Sequence, residues 1–138
     1  FRASEERYRT LVENACESIF VLADNGDIVF ANEQAARLTG HEKYDLLHKN
    51  LIELFVDPPT MQGLLTEVRE GRQSLRHGAL TRADGTVVPV DVSAVELALM
   101  GKKFIQSVVR DMSHHARLEK LLEEKERELA ALRAQPGR

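Results

Sequence analysis

Residues able to do chemistry are few and scattered along the 138-residue chain. The five histidines are His41, His48, His77, His114 and His115. The last two are neighbours, so on a helix they point about 100° apart and do not form a chelating pair one turn apart. They read as solvated linker histidines. A phosphoacceptor role for His114 or His115 is the alternative, but His115 runs on into Ala116-Arg117-Leu118 rather than an H-E-x-x-x-P sequence. His48 and His77 are candidate haem or metal ligands. The carboxylates Asp84, Asp91 and Glu96 lie on or beside one hairpin and read as turn chemistry and a solvated strand face. The single cysteine, Cys16, excludes an internal disulfide and a cysteine-based zinc site. By default it is a buried structural thiol; a redox switch is the alternative. There is no Gly-rich phosphate loop, no G-x-S-x-G and no H-E-x-x-H. The chain is not expected to be an enzyme, and no metal is expected.

Elements that would position these groups follow from periodicity. Tyr8, Leu11, Val12 and Ala15 form an apolar stripe spaced i, i+3, i+4, i+7, predicting a helix over 4–15 with Ser4 as N-cap. Two β-rich runs, Ser18–Ala23 and Asp27–Ala31, flank Asn25-Gly26 and predict a hairpin. Asn32 is placed to cap a helix ended by Gly40. Residues 41–56 should form short helical turns anchored by Leu46, Leu47, Leu51, Leu54 and Phe55. Asp57-Pro58 should open a helix whose buried stripe is Met61, Leu64, Leu65 and Val68, with Gly63 weakening it and Gly71 as its C-cap.

Three strands are expected next: Ser74–Arg82, Thr86–Leu97 and Lys103–Met112, with turns at Ala83-Asp84-Gly85 and Met100-Gly101-Lys102. Pro89 demands a local edge or bulge. From Ser113 a long charged helix is expected. His115, Leu118, Leu122, Lys125, Leu129 and Leu132 follow coiled-coil a and d spacing over less than three heptads.

Charge and composition bound the function. Hydrophobic residues are 43% and charged residues 30%, as in a soluble globular domain. Net charge is −3, with about +1 on residues 114–138 and −4 on the rest. This lacks the basic footprint of a nucleic-acid binder. No apolar run reaches membrane-span length and no secretory leader opens the chain, so neither membrane contact nor export is expected. The abrupt start at Phe1 suggests a piece of a longer protein; the domain itself is expected in the cytoplasm, with membrane anchoring of the parent left open.

Five ordered pieces resemble PAS domains: Asn32 after the second strand; Leu38-Thr39-Gly40-His41; Leu46-Leu47-His48-Lys49-Asn50-Leu51; Asp84-Gly85-Thr86 with Val88-Pro89-Val90; and Val109-Arg110-Asp111-Met112-Ser113. They are similar to that family's capping asparagine, L-T-G-[YH], L-[IL]-G-K-[NS]-L, D-G-[ST]-x-x-[FV]-P-[VI] and V-R-D-I-T. His48 departs from the usual glycine. The resemblance covers residues 4 to about 134. It implies an α+β fold with a five-stranded antiparallel sheet in the order 2-1-5-4-3 and helices over one face. It implies three parts: residues 1–16, a flanking helix; 17–112, the PAS domain; 113–138, a coiled-coil signalling helix. It also implies a sensory or dimerising module of a signalling protein, such as a sensor histidine kinase or a cyclic-dinucleotide enzyme, joined to a C-terminal effector domain.

The resemblance also sorts cofactors. The flavin-binding subclass needs a cysteine that residues 32–70 lack, and a glutamine where Val109 stands. One common haem-binding type needs a histidine that residues 58–70 lack. No cofactor is expected; by default the inward residues pack as a filled core, and a small apolar ligand among them is the alternative. Strand parity points Val90, Val92, Ile105, Ser107 and Val109 inward, opposite Leu64, Leu65 and Val68, with Ser107 as polar anchor. Phe104, Gln106 and Val108 face away and are a candidate surface for the N-terminal stripe. Arg110 and Asp111 are the expected transmission residues. Tyr8, Leu11, Val12, Leu118, Leu122, Leu129 and Leu132 are the expected interface of a parallel homodimer.

Overall fold

In the computed structural model the described residues are 6, 7, 10, 11 and 17–134. Glu6, Arg7, Thr10 and Leu11 are helical. Tyr8, Val12, Ala15, Cys16 and the Ser4 cap lie outside the described residues.

Five strands form one sheet: β1 (Ser18–Leu22), β2 (Ile28–Ala31), β3 (Ser74–Thr81), β4 (Val87–Leu99) and β5 (Lys102–Asp111). Their order is β2-β1-β5-β4-β3 and every pairing is antiparallel, as expected. Each tight connection uses a positive φ that glycine tolerates. Gly26 at +96° closes β1 to β2, Gly85 at +87° closes β3 to β4. At the β4–β5 turn Met100 (+53°) shares the load with Gly101 (+74°).

Between β2 and β3 lie α1 (Glu33–Thr39), α2 (Lys43–Leu46), a 3₁₀ turn (Leu51–Leu54) and α3 (Pro58–Arg69). Gly40, left-handed at φ +76°, ends α1, and its N–H donates to Ala36 O. Thr39 is fully buried and gives its hydroxyl to Ala35 O at 2.9 Å, while its carbonyl accepts Ala83 N at 2.8 Å. The Leu38–His41 motif therefore pins α1 to the β3–β4 turn.

Met61, Leu64, Leu65 and Val68 of α3 are all buried against one face of the sheet. Each such side chain contributes about 1.5–3 kcal/mol through the area it removes from water. Leu46, Leu51, Leu54 and Phe55 join them, but Leu47 does not: it is 46% exposed. α2 is a single turn, so only one of two adjacent leucines can face the core, and Leu46 takes that place. Asp57 precedes α3 as expected but makes no side-chain cap; its carboxylate accepts the Thr60 hydroxyl instead.

Pro89 sits where β5 has ended. Its carbonyl accepts Met112 N at 2.8 Å, beyond the last β4–β5 pair, Val90–Asp111, so its missing N–H costs no ladder bond. The final helix, α4 (Ser113–Arg133), buries none of its residues.

Candidate functional site

The expected pocket residues converge. Leu64, Leu65, Val68, Val90, Val92, Ile105, Ser107 and Val109 are buried, with Ser107 fully so. Register explains the meeting. On the helix-covered face Ser74, Ala94, Ser107 and Phe20 lie in one row across β3, β4, β5 and β1, and Arg76, Val92, Val109 and Ser18 lie in the next. The Ser107 hydroxyl has no hydrogen-bond partner. A hydroxyl stranded in an apolar core costs about 1–3 kcal/mol. A slot lined by Phe55, Met61, Arg76, Gly78 and Val92 opens between α3 and β3, with a volume of about 10 Å³.

β5 passes into α4 through one residue, Met112. Its N–H goes to Pro89 O and its carbonyl accepts Ala116 N at 2.8 Å. Asp111 Oδ1 accepts Ser113 N at 2.8 Å and so turns the chain into the helix. Arg110 donates through Nε and Nη2 to Glu17 at 3.0 and 3.2 Å, and these bonds hold its guanidinium pKa above the ordinary value. An open crevice of about 450 Å³, lined in part by Arg37, Leu38 and Met112, lies beside this junction.

On α4, Leu118, Leu122, Leu129 and Leu132 are all about half exposed or more, and Leu121 joins them. Lys125 reaches Glu128 at 3.6 Å. Arg127 reaches the main-chain carbonyl of Glu123, not its carboxylate. Leu11 is 67% exposed. Phe104, Gln106 and Val108 are half-buried on the opposite face of the sheet from the core.

The histidines do not assemble. His48 packs edge-on against Tyr44 at 4.9 Å. His77 Nδ1 lies 2.5 Å from Asp91 Oδ1 on the outer face, and His115 lies 2.8 Å from Glu119. Among the described residues no three His, Cys, Asp or Glu side chains gather as a metal site. No described helix is long and apolar enough to cross a membrane.

Two features escaped the sequence reading. Asn32 does more than cap. It is fully buried; its Oδ1 accepts Ala35 N and Ile19 N at 3.0 and 3.1 Å, and its Nδ2 donates to Glu17 O at 2.8 Å. The asparagine after a strand was the available signal, but its bond to β1 depends on the hairpin register. The second is a latch between α3 and β3. Glu67 accepts the Ser74 hydroxyl at 2.7 Å and, through its other oxygen, the Arg76 guanidinium. The Ser74 and then the Arg76 hydrogen bonds hold the Glu67 carboxyl below its ordinary range.

Known proteins share this fold. The sequence model of the PAS fold family matches residues 6–112. A methyl sulfide methyltransferase-associated sensor of Methanosarcina acetivorans is 26% identical over 122 residues, covering 86% of this chain and 12% of the sensor. The chain thus spans only a small part of that relative's length. The PAS domain of a two-component sensor histidine kinase superposes with a TM-score of 0.69 at 23% identity, covering 80% of this chain and 97% of that one. The PAS domain of an HTR-like protein from Haloarcula marismortui gives 0.68 at 23% identity, covering 80% and 93%. With the family matched over most of its length and the sheet order in agreement, this chain belongs to the PAS fold family.

Proposed function

We propose that this PAS domain is the cytoplasmic sensory and dimerising module of a longer signal-transduction protein, passing a change in its interior to a C-terminal effector through α4. The observation that carries the reading is the direct run of β5 into α4. Ser107 and Val109 face the core from β5, and two residues beyond Val109 the chain turns on Asp111 into the helix. A shift of β5 therefore moves the root of α4. Sensor proteins among the relatives support the reading.

In this reading the interior takes a small, largely apolar ligand, with the unpartnered Ser107 hydroxyl as its polar anchor. Flavin and haem are not part of it, since residues 32–70 lack the cysteine and residues 58–70 the histidine of those subclasses. Leu118, Leu122, Leu129 and Leu132 pair with a second copy in parallel. Burying those half-exposed leucines supplies the association energy. Lys125 interrupts the seam and fixes its register.

The test is Asp111→Ala in the full-length parent. Signal and output should uncouple while the domain stays folded. Unchanged signalling would remove Asp111 from the mechanism.

A further inference from the structure

Arg76 lies on the helix-covered face of the edge strand β3, in the row of Val92 and Val109. Its guanidinium folds over α3 at Gly63, where a Cβ would stand 4.0 Å from Nη2. There it meets Glu67. That carboxylate shows how the site holds an anion: one oxygen rests on Arg76 and the other on the Ser74 hydroxyl.

We propose that Arg76 and Ser74 form a carboxylate-recognition site at the rim of the interior, that Glu67 occupies it as an internal stand-in, and that an acid with an apolar body displaces Glu67 and enters between α3 and β3. This rests on the reading that the interior binds a ligand, and it names that ligand's class.

Three observations support the choice. A planar guanidinium matches a carboxylate better than other anchors do. The slot beside Arg76 is lined also by Gly78 and the core residue Val92; at about 10 Å³ it is too small for a ligand, so α3 must part from β3 for one to pass. The Glu67 latch spans that seam. Finally, the row inward from Ser74 crosses Ala94, the smallest side chain available there, and reaches the unpartnered Ser107 hydroxyl. Ser74 and Ser107 are two strand spacings apart, roughly 9–10 Å. The site thus suits an extended aliphatic acid, especially one with a polar group at its far end.

The experiment uses octanoate and its neutral amide, octanamide, on the whole chain, read by thermal shift and by the Val92 methyl resonances. Octanoate should raise Tm and move those resonances. Glu67→Gln, which removes the competing charge but keeps an acceptor for Ser74, should bind octanoate about tenfold more tightly, as expected for freeing one charge-assisted hydrogen bond. Arg76→Gln should lose the octanoate response and leave octanamide unaffected. If both probes bind equally with and without Arg76, recognition by Arg76 is wrong and the interior-binding reading stands. If neither probe moves Tm or the Val92 resonances in any variant, both are overturned for this ligand class.

Discussion

Arg110 grips both carboxylate oxygens of Glu17, tying the last turn of β5 to the residue that precedes β1. Glu17 is held a second time, through its carbonyl, by Asn32. The output end of β5, the start of β1 and the cap of α1 are therefore one connected unit. The Arg110–Glu17 pair is solvent-exposed and screened by water, so Arg110→Gln should leave the urea unfolding midpoint almost unchanged. Its larger effect is expected on signalling in the parent protein, measured beside Asp111→Ala.

Asn32→Ala should be far more costly. It removes the α1 cap and leaves Ile19 N–H and Glu17 C=O without their partner. About 2–4 kcal/mol of stability should be lost, read as a fall in the urea midpoint. A loss under 1 kcal/mol would mean the bonds to β1 contribute little.

Gly26→Ala should destabilise for two reasons. Its φ of +96° disfavours any side chain, and a Cβ there would stand 2.8 Å from Asn50 Oδ1. Asn50 cannot retreat freely, because it bonds Asn25 O, Asp27 and Ile52 N. The expected cost is about 1–3 kcal/mol by thermal unfolding. Gly85→Ala, with open space around its Cβ, should cost less than Gly26→Ala.

Acidification should weaken the fold in two steps. Burial, then Lys49, push the His41 pKa below its ordinary 6.5. The fold thus favours neutral His41, and its contribution is whole above pH 6.5 and lost as pH falls below. Glu67 is held below its ordinary 4.5, so its contribution is whole above pH 4.5 and lost as pH falls through the folded value. His41→Gln should flatten the first step of a Tm–pH curve, and Glu67→Gln should shrink the second, which is shared with Asp84, held below its ordinary value by the Thr86 hydroxyl and N–H. A first step unchanged in His41→Gln, or a second unchanged in Glu67→Gln, would contradict the assignment.

Local signals made the strands and turns legible. Asn25-Gly26 and Asp84-Gly85 close hairpins because glycine accepts positive φ, and alternation in β4 and β5 placed Val90, Val92, Ile105, Ser107 and Val109 on the inner face. The α3 stripe was readable for the same reason of period. What escaped depends on tertiary placement. Leu47 and Leu46 are equally apolar, and only the direction of a one-turn helix separates them. Asp57 is a good cap by type, but Thr60 offers its carboxylate a nearer donor. Glu67 and Arg76 belong to different elements, and only the packing of α3 on β3 brings them together.

In the proposed function α4 is an output helix assembled with a second copy and rooted in β5. Sedimentation of the whole chain at ~100 µM, beside a chain ending at Ser113, tests it most directly, because the exposed leucine seam is then the only difference that matters. A dimer is expected for the whole chain, with a loss of association on truncation. A monomer at that concentration, unchanged by truncation, would contradict it.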